Sequence, residues 1–295
     1  DLVRSRGLGD VYKRQGKRLL LCADIEEGVG QRFHGGTKFI PPMGIAQIYK
    51  KDHNLGISIA EKIGYFTAKE AKNIGLNWLL APVCDINNNS NNPVINLRAW
   101  GEEPETVKRL TSAFHRGVSR SQMLTCAKHF PGHGNSEVDS HLDLPEIQND
   151  LSKLEQFELI PFKSLINQGV NSVMIGHLFF PKIDPIYPAT LSKRLVTDLL
   201  RIKLKYDGLV VSDALVMNAI SNKYSSGISA VMAFDAGIDL IMMPKDIDEA
   251  IDSLTDAFYS EKFSLERLHV SRDRRKKQLD LILSLIHISE PTRPY

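Results

Sequence analysis

Short apolar runs alternate with long amphipathic stretches along this chain. Six of the runs are apolar nearly throughout, which is typical of parallel strands that are covered on both faces. They are RLLLCADI at 18–25, NWLLAPVCDI at 77–86, LTCAKHF at 124–130, NSVMIGHLFF at 171–180, GLVVSDAL at 208–215 and GIDLIMMP at 237–244. The amphipathic stretches predict helices at about 56–75, 103–121, 150–168, 192–204, 226–236, 246–260 and 264–283. This repeated order of strand and helix predicts a parallel α/β fold.

Two parallel architectures fit this order, a doubly wound sheet and a (β/α)8 barrel of the TIM type. Polar residues at the C-terminal ends of different strands favour the barrel, because a barrel gathers its active site there. They are Asp24, Asp85, Lys128, His129, His177 and Asp213. A doubly wound sheet often has a glycine-rich first turn, which this sequence lacks. We therefore predict a (β/α)8 barrel of which about six of the eight strands are present.

The two ends of the chain do not continue the patterns beside them. Residues 1–15 and 285–295 show neither a helix period nor a strand period, and they resemble translated cloning sequence. Ordinary disordered tails are the alternative. We predict one catalytic barrel over 16–284, truncated at its N-terminus between two foreign tails. Since an unclosed barrel exposes a hydrophobic edge, we expect such a chain to be poorly stable or inactive.

Charge and composition narrow the class of partner. The 295 residues are 42% hydrophobic with a net charge of +2, which permits a large core and gives no electrostatic sign of nucleic-acid binding. No apolar run is long enough to span a membrane. The three cysteines lie inside apolar runs, and we expect buried free thiols. The prediction is a monomer that binds a small molecule, in either the cytoplasm or the periplasm or exterior of a bacterium.

The segment KHFPGHGNSEVDSHLDLP at 128–145 concentrates reactive and backbone-shaping residues. Its glycines and prolines predict a long shaped loop over a site. Its histidines lack the i, i+4 spacing of zinc hydrolases, so no metal is predicted; zinc and merely structural histidines are the disfavoured alternatives. Asp139 and His141 flank Ser140, and on an extended backbone they would project to the same side. A carboxylate beside an imidazole favours the protonated ring, which predicts a general acid/base.

KHFPGHG with its following DSH, together with the later strand that ends in SDAL, resembles glycoside hydrolase family 3. Within that family it is similar to the β-N-acetylhexosaminidase branch known from peptidoglycan recycling, over about residues 17–283. The resemblance implies that Asp213 is the nucleophile of a retaining hydrolase. It also implies that the acid/base is His141, oriented by Asp139, rather than a second carboxylate. Without the resemblance, Asp213 would be interpreted as a helix N-cap.

The resemblance also implies a set of sugar-binding residues. Asp24 matches a strand-terminal aspartate that binds sugar hydroxyls, and Arg98 in NPVINLRAWGE matches an arginine that contacts the sugar. Lys128 and His129 match a Lys-His pair deep in the site. His177 is a less specific match that could simply stabilise the barrel mouth, as could Asp85. Taken alone, Arg98 would be interpreted as a surface residue and Asp24 as a cap.

Two motifs depart from the family pattern. Glu26 and Glu27 stand where glutamine or glycine is common, and the motif S-D-D-L has Ala214 in place of its second aspartate. Because the nucleophile position is kept, we interpret both as branch variation.

The predicted function is hydrolysis of terminal, non-reducing β-N-acetylglucosamine from oligosaccharides derived from peptidoglycan or chitin, without cofactor or metal. The DSH triplet favours these substrates, because the β-glucosidases of the family lack it. A β-glucosidase and a phosphorylase remain alternatives, the latter because a histidine acid/base does not repel incoming phosphate. A noncatalytic sugar-binding or scaffold domain is the alternative from another class.

Overall fold

The computed structural model describes residues 19–136, 138–140 and 142–284. Its named strands are β1 (Cys22–Ala23), β2 (Trp78–Leu79), β3 (Cys126–Phe130), β4 (Ser172–Ile175) and β5 (Leu209–Ser212). All pairings among them are parallel, β1 with β2 and then β3, β4 and β5 in that order. Two isolated parallel bridges complete the order: Trp78 to Leu124 places the second predicted run beside the third, and Val211 to Leu240 places the fifth beside the sixth. The six predicted runs therefore lie side by side in chain order, although over the described ranges they do not close into a barrel.

The helices lie between the strands as predicted. They are α1 (Pro42–Lys51), α2 (His53–Asn73), α3 (Pro104–Arg120), α4 (Leu151–Gln156), α5 (Leu159–Asn167), α6 (Arg194–Lys203), α7 (Asn218–Ser221), α8 (Ser226–Ala236), α9 (Ile247–Tyr259) and α10 (Leu265–Ser284). The prediction missed α1 and α7, and α6 is wound as a π-helix. None of the helices in the described ranges is both long and apolar enough to cross a membrane.

The helix predicted over 150–168 is divided into α4 and α5, and proline explains the break. Pro161 lies in the first turn of α5, where its missing N–H is harmless. In a continuous helix its ring would instead clash with the carbonyl of Phe157, four residues earlier. Phe157 accordingly leaves the helical region, with φ −133° and ψ −78°. The prediction of one helix was therefore wrong at this residue.

Alternate strand residues divide the core into two layers, as the period of two in a strand requires. The inner layer joins side chains from all six segments: Cys22, Trp78, Leu80, Leu124, Cys126, Met174, Val211 and Leu240. Intervening residues such as Leu79, Ala127 and Val210 pack with the helices in two larger clusters. This packing holds the carboxyl ends of the strands along one edge, where the predicted site residues lie.

The three cysteines are free thiols, as predicted. Cys84 and Cys126 are buried, whereas Cys22 is only half-buried. Burial raises the pKa of Cys22 to about 11 and that of Cys126 to about 12. These thiols therefore stay protonated at neutral pH and belong to the packing of the core.

Candidate active site

A cavity of about 290 Å³ opens at the carboxyl ends of the strands. Apart from Val94, its lining is polar: Asp24, Glu26, Gln31, Arg32, Arg98, His129, His133, Ser140 and Asp213. Four of the predicted site residues are in this lining, and they come from four distant parts of the chain. Lys128 lies directly behind it, bonded to two lining carboxylates. His141 lies outside the described residues.

Asp213 directly follows β5, and its carboxylate is anchored at one oxygen. The backbone N–H of Ala214 donates to Asp213 Oδ1 at 2.8 Å. Burial raises the pKa of Asp213, but the charges of His129 and His177 and this N–H outweigh burial and hold the pKa below its usual value. The helix that follows, α7, has Met217 at its N-cap without any side-chain cap. Asp213 is therefore an ionised carboxylate in the cavity, and the N-cap interpretation is wrong.

Lys128 is the buried centre of a four-charge cluster. Its side chain is 1% exposed, and Nζ lies 2.7 Å from both Asp24 Oδ1 and Glu26 Oε1. Arg98 donates two bonds of 2.8 Å to the two oxygens of Glu26. The two cations and two anions balance, which is what keeps buried charges tolerable.

The pKa values of the cluster follow from this pairing. Burial alone would raise the pKa of Glu26, but the charges of Lys128 and Arg98 hold it well below its usual range. Burial would also lower the pKa of Lys128, but Glu26 and Asp24 raise it. Glu26 and Lys128 are therefore both charged at neutral pH. Glu26, which from the sequence is only a departure from the family pattern, joins two of the predicted sugar-binding residues, Arg98 and Lys128.

Asp85 is fully buried and orients the turn that follows β3. Its carboxylate accepts from the backbone N–H of His129 and, at 2.7 Å, from that of His133. His129 Nδ1 lies 2.7 Å from Asp85 Oδ2 and donates to it. Burial raises the pKa of Asp85, but the neighbouring histidines lower it below its usual value. Asp85 thus fixes the ring orientation of His129, which lines the cavity.

His177 lies behind Asp213 rather than in the cavity lining. The side chain is fully buried, with Nδ1 at 2.7 Å from Thr190 Oγ1 and Nε2 at 3.0 Å from the carbonyl of Ala214. Because a carbonyl only accepts, Nε2 is the donor in that bond. These contacts favour the stabilising role over direct contact with substrate, and sugar binding by His177 stays a prediction.

The backbone at Asp139 is not in the extended form that is expected from the sequence. The carbonyl of Asp139 accepts from the N–H groups of Leu142 and Asp143, at 2.9 and 3.0 Å, so the chain makes a turn here. The alternation argument for Asp139 and His141 therefore does not apply. Their pairing stays a prediction that rests on the resemblance alone. Within the described residues, no group of three or more His, Cys, Asp or Glu side chains could hold a metal ion.

Comparison with known proteins assigns these features to a family. The family model described as "Glycosyl hydrolase family 3 N terminal domain" matches residues 6–276. The chain belongs to this family, and the family predicted from the sequence is confirmed. Its parallel α/β fold is the barrel-like fold of the family's N-terminal domain.

Particular relatives narrow the likeness. Beta-hexosaminidase A of Pseudoalteromonas piscicida is 33% identical over 282 residues, which are 88% of this chain and 47% of the relative. A beta-hexosaminidase of Chromobacterium violaceum is 35% identical over 233 residues, 79% of this chain and 65% of the relative. A solved family 3 beta-N-acetylglucosaminidase from Paenibacillus sp. str. FPU-7 superposes with a TM-score of 0.87 at 35% identity, over 99% of this chain and 55% of that one. The chain thus spans about half the length of the first relative and of the solved structure.

Proposed function

We propose that this chain is the catalytic domain of a retaining β-N-acetylhexosaminidase, which releases terminal non-reducing N-acetylglucosamine from fragments of peptidoglycan or chitin. The observation that carries the proposal is the ionised Asp213 carboxylate in a polar cavity at the strand ends. The beta-hexosaminidase relatives support the substrate class. The six neighbouring parallel segments support a (β/α)8 barrel as the finer fold, with this chain contributing about six strands over 16–284.

The chemistry divides into two displacements at the anomeric carbon. In the first, a carboxylate oxygen of Asp213 forms a bond to that carbon while the bond to the leaving oxygen breaks. A proton from His141 goes to the leaving oxygen. In the second, His141 takes a proton from water, the water oxygen bonds to the anomeric carbon, and Asp213 leaves as a carboxylate. Two inversions give net retention, and no oxidant, metal or cofactor enters the balance.

The cavity suits a sugar because its polar groups are charged and held in place. The side chain of Asp24 is 45% exposed, and Lys128 holds its Oδ1 oxygen at 2.7 Å. Arg98 and His129 present further donors that their carboxylate partners hold in orientation. Charge-assisted bonds from fixed groups to sugar hydroxyls give both affinity and orientation.

Product analysis with an aryl β-N-acetylglucosaminide tests the proposal. We expect release of the aryl group with N-acetylglucosamine first formed as the β-anomer, observed by proton NMR. Little turnover of the matching aryl β-glucoside is expected. A sugar 1-phosphate formed in phosphate buffer would replace the hydrolase by a phosphorylase. No turnover by the folded protein, together with measurable sugar binding, would favour the noncatalytic alternative.

A further inference from the structure

His133 is a buried histidine with no role in the chemistry above, although its ring is hydrogen-bonded to a serine that is next in sequence to the predicted acid/base. The side chain is 1% exposed. Nδ1 lies 2.7 Å from Ser136 Oγ, and Nε2 lies 3.0 Å from Ser140 Oγ. The imidazole therefore links Ser136 to Ser140, which lies four positions further along the chain.

The hydrogen bonds around this ring indicate which of its two nitrogens carries a proton. Ser136 Oγ lies 3.0 Å from the carbonyl of His133 and must donate its only proton there, because a carbonyl only accepts. His133 Nδ1 must then carry the proton that it donates to Ser136. In the neutral ring Nε2 is then an acceptor, and the hydroxyl of Ser140 donates to it. Burial lowers the pKa of His133 to about 4, which agrees with a neutral ring.

Two other residues bond to the backbone of His133, so its position is fixed. Its backbone N–H donates to Asp85. Asn92 Nδ2 donates to the carbonyls of His133 and Gly134, at 2.8 and 3.0 Å. Close packing adds to this, since a Cβ on Gly134 would lie 1.7 Å from the carbonyl oxygen of Ile86.

Ser140 connects His133 to the segment that carries the predicted acid/base. The residue is 2% exposed and lies between Asp139 and His141 in the sequence. It also lines the same cavity as Asp213. A hydroxyl that is fixed at this point restrains the backbone at Ser140.

We propose that His133 is a positioning residue, which through the Ser140 hydroxyl sets the place of the acid/base segment relative to Asp213. The inference rests on the proposed function, because it takes His141 as the acid/base. Misplacement of a general acid reduces its contribution without altering the nucleophile. The loss should therefore depend on how much protonation the leaving group requires.

The test is Ser140→Ala, measured as kcat/KM for two aryl β-N-acetylglucosaminides. Phenol requires protonation to leave, whereas 2,4-dinitrophenol does not. We expect kcat/KM to fall about tenfold for the phenyl substrate and to stay within about twofold for the dinitrophenyl substrate. Ser140→Thr keeps a hydroxyl and should recover most of the loss. His133→Gln should show the same selective loss, which covers the case in which Ser140→Ala does not fold.

Ser112→Ala is the matched control, because Ser112 is also a buried serine with two hydroxyl bonds but lies on α3, where it contacts Ser164 of α5 and Gln168. It should leave both substrates unchanged. Equal losses on both substrates in Ser140→Ala, or no loss on either, would overturn the proposal. His141→Ala separates the two levels: if it shows no leaving-group dependence, the acid/base assignment is wrong and the inference falls with it.

Discussion

At the scale of single residues, Glu26 depends on its ion pairs with Arg98 and Lys128. Glu26 is 4% exposed and accepts from Arg98 while it pairs with Lys128. Removal of one member of a buried ion pair leaves an uncompensated buried charge, which costs more than the pair contributes. The cluster therefore holds two predicted sugar-binding cations in one geometry.

Glu26→Gln should destabilise the protein by about 3 kcal/mol and raise KM, because Arg98 and Lys128 lose their shared carboxylate. Chemical denaturation and steady-state kinetics measure the two effects. Glu27→Gln is the matched control, since Glu27 pairs with the exposed Lys38 at 3.8 Å. It should change stability by less than about 1 kcal/mol. Equal effects of the two substitutions would contradict this account of the cluster.

The members of this cluster could be selected from the sequence, but their partnership could not. Glu26 and Arg98 are 72 residues apart, and Asp24 and Lys128 are 104 apart. Local patterns predict on which strand end a residue lies, not which distant side chain meets it. The family resemblance likewise identified individual positions but not their partners, and it left the role of Glu26 open.

At the scale of elements, the loop after β3 is stabilised by polar bonds to a neutral His133. Burial lowers the pKa of this ring to about 4, against about 6.5 for an unfolded chain. The unfolded state therefore binds more protons between these values. Stability from the neutral ring is fully present above pH 6.5 and is lost as pH falls towards 4.

His133→Gln tests this pH dependence. The variant should be less stable than wild type at pH 7, and the difference should narrow by about 3 kcal/mol between pH 6.5 and 4. Urea denaturation at several pH values measures the difference. A constant difference for His133→Gln would show that the ring is not held neutral.

Elements with a clear period were predicted well, and the errors have local causes. The signal for α1 is present, because Pro42, Ile45, Ala46 and Tyr49 repeat at helical spacing and are buried. The two prolines at its start concealed it, although proline is well suited to a first helical position. The turn at Asp139 has no comparable signal, since two short-range backbone bonds define it.

At the scale of the whole molecule, the parallel order of the six segments explains how the site is assembled. Asp24 and Asp213 directly follow β1 and β5, and Lys128 lies within β3, so only the sheet brings these residues together. The alternation of apolar runs and amphipathic stretches predicted the parallel order, and the polar residues near the strand ends predicted where the site lies. The monomeric state stays a prediction, as does the place of His141 in the cavity.

Covalent trapping of Asp213 tests the central claim most directly. A fluorinated N-acetylglucosaminide with a good leaving group should form a glycosyl-enzyme intermediate that hydrolyses slowly. We predict one added sugar on the peptide that contains Asp213, found by peptide mass mapping, and no label on Asp213→Asn. A folded protein that turns over substrate but stays unlabelled, or that carries the sugar on another residue, would contradict the account.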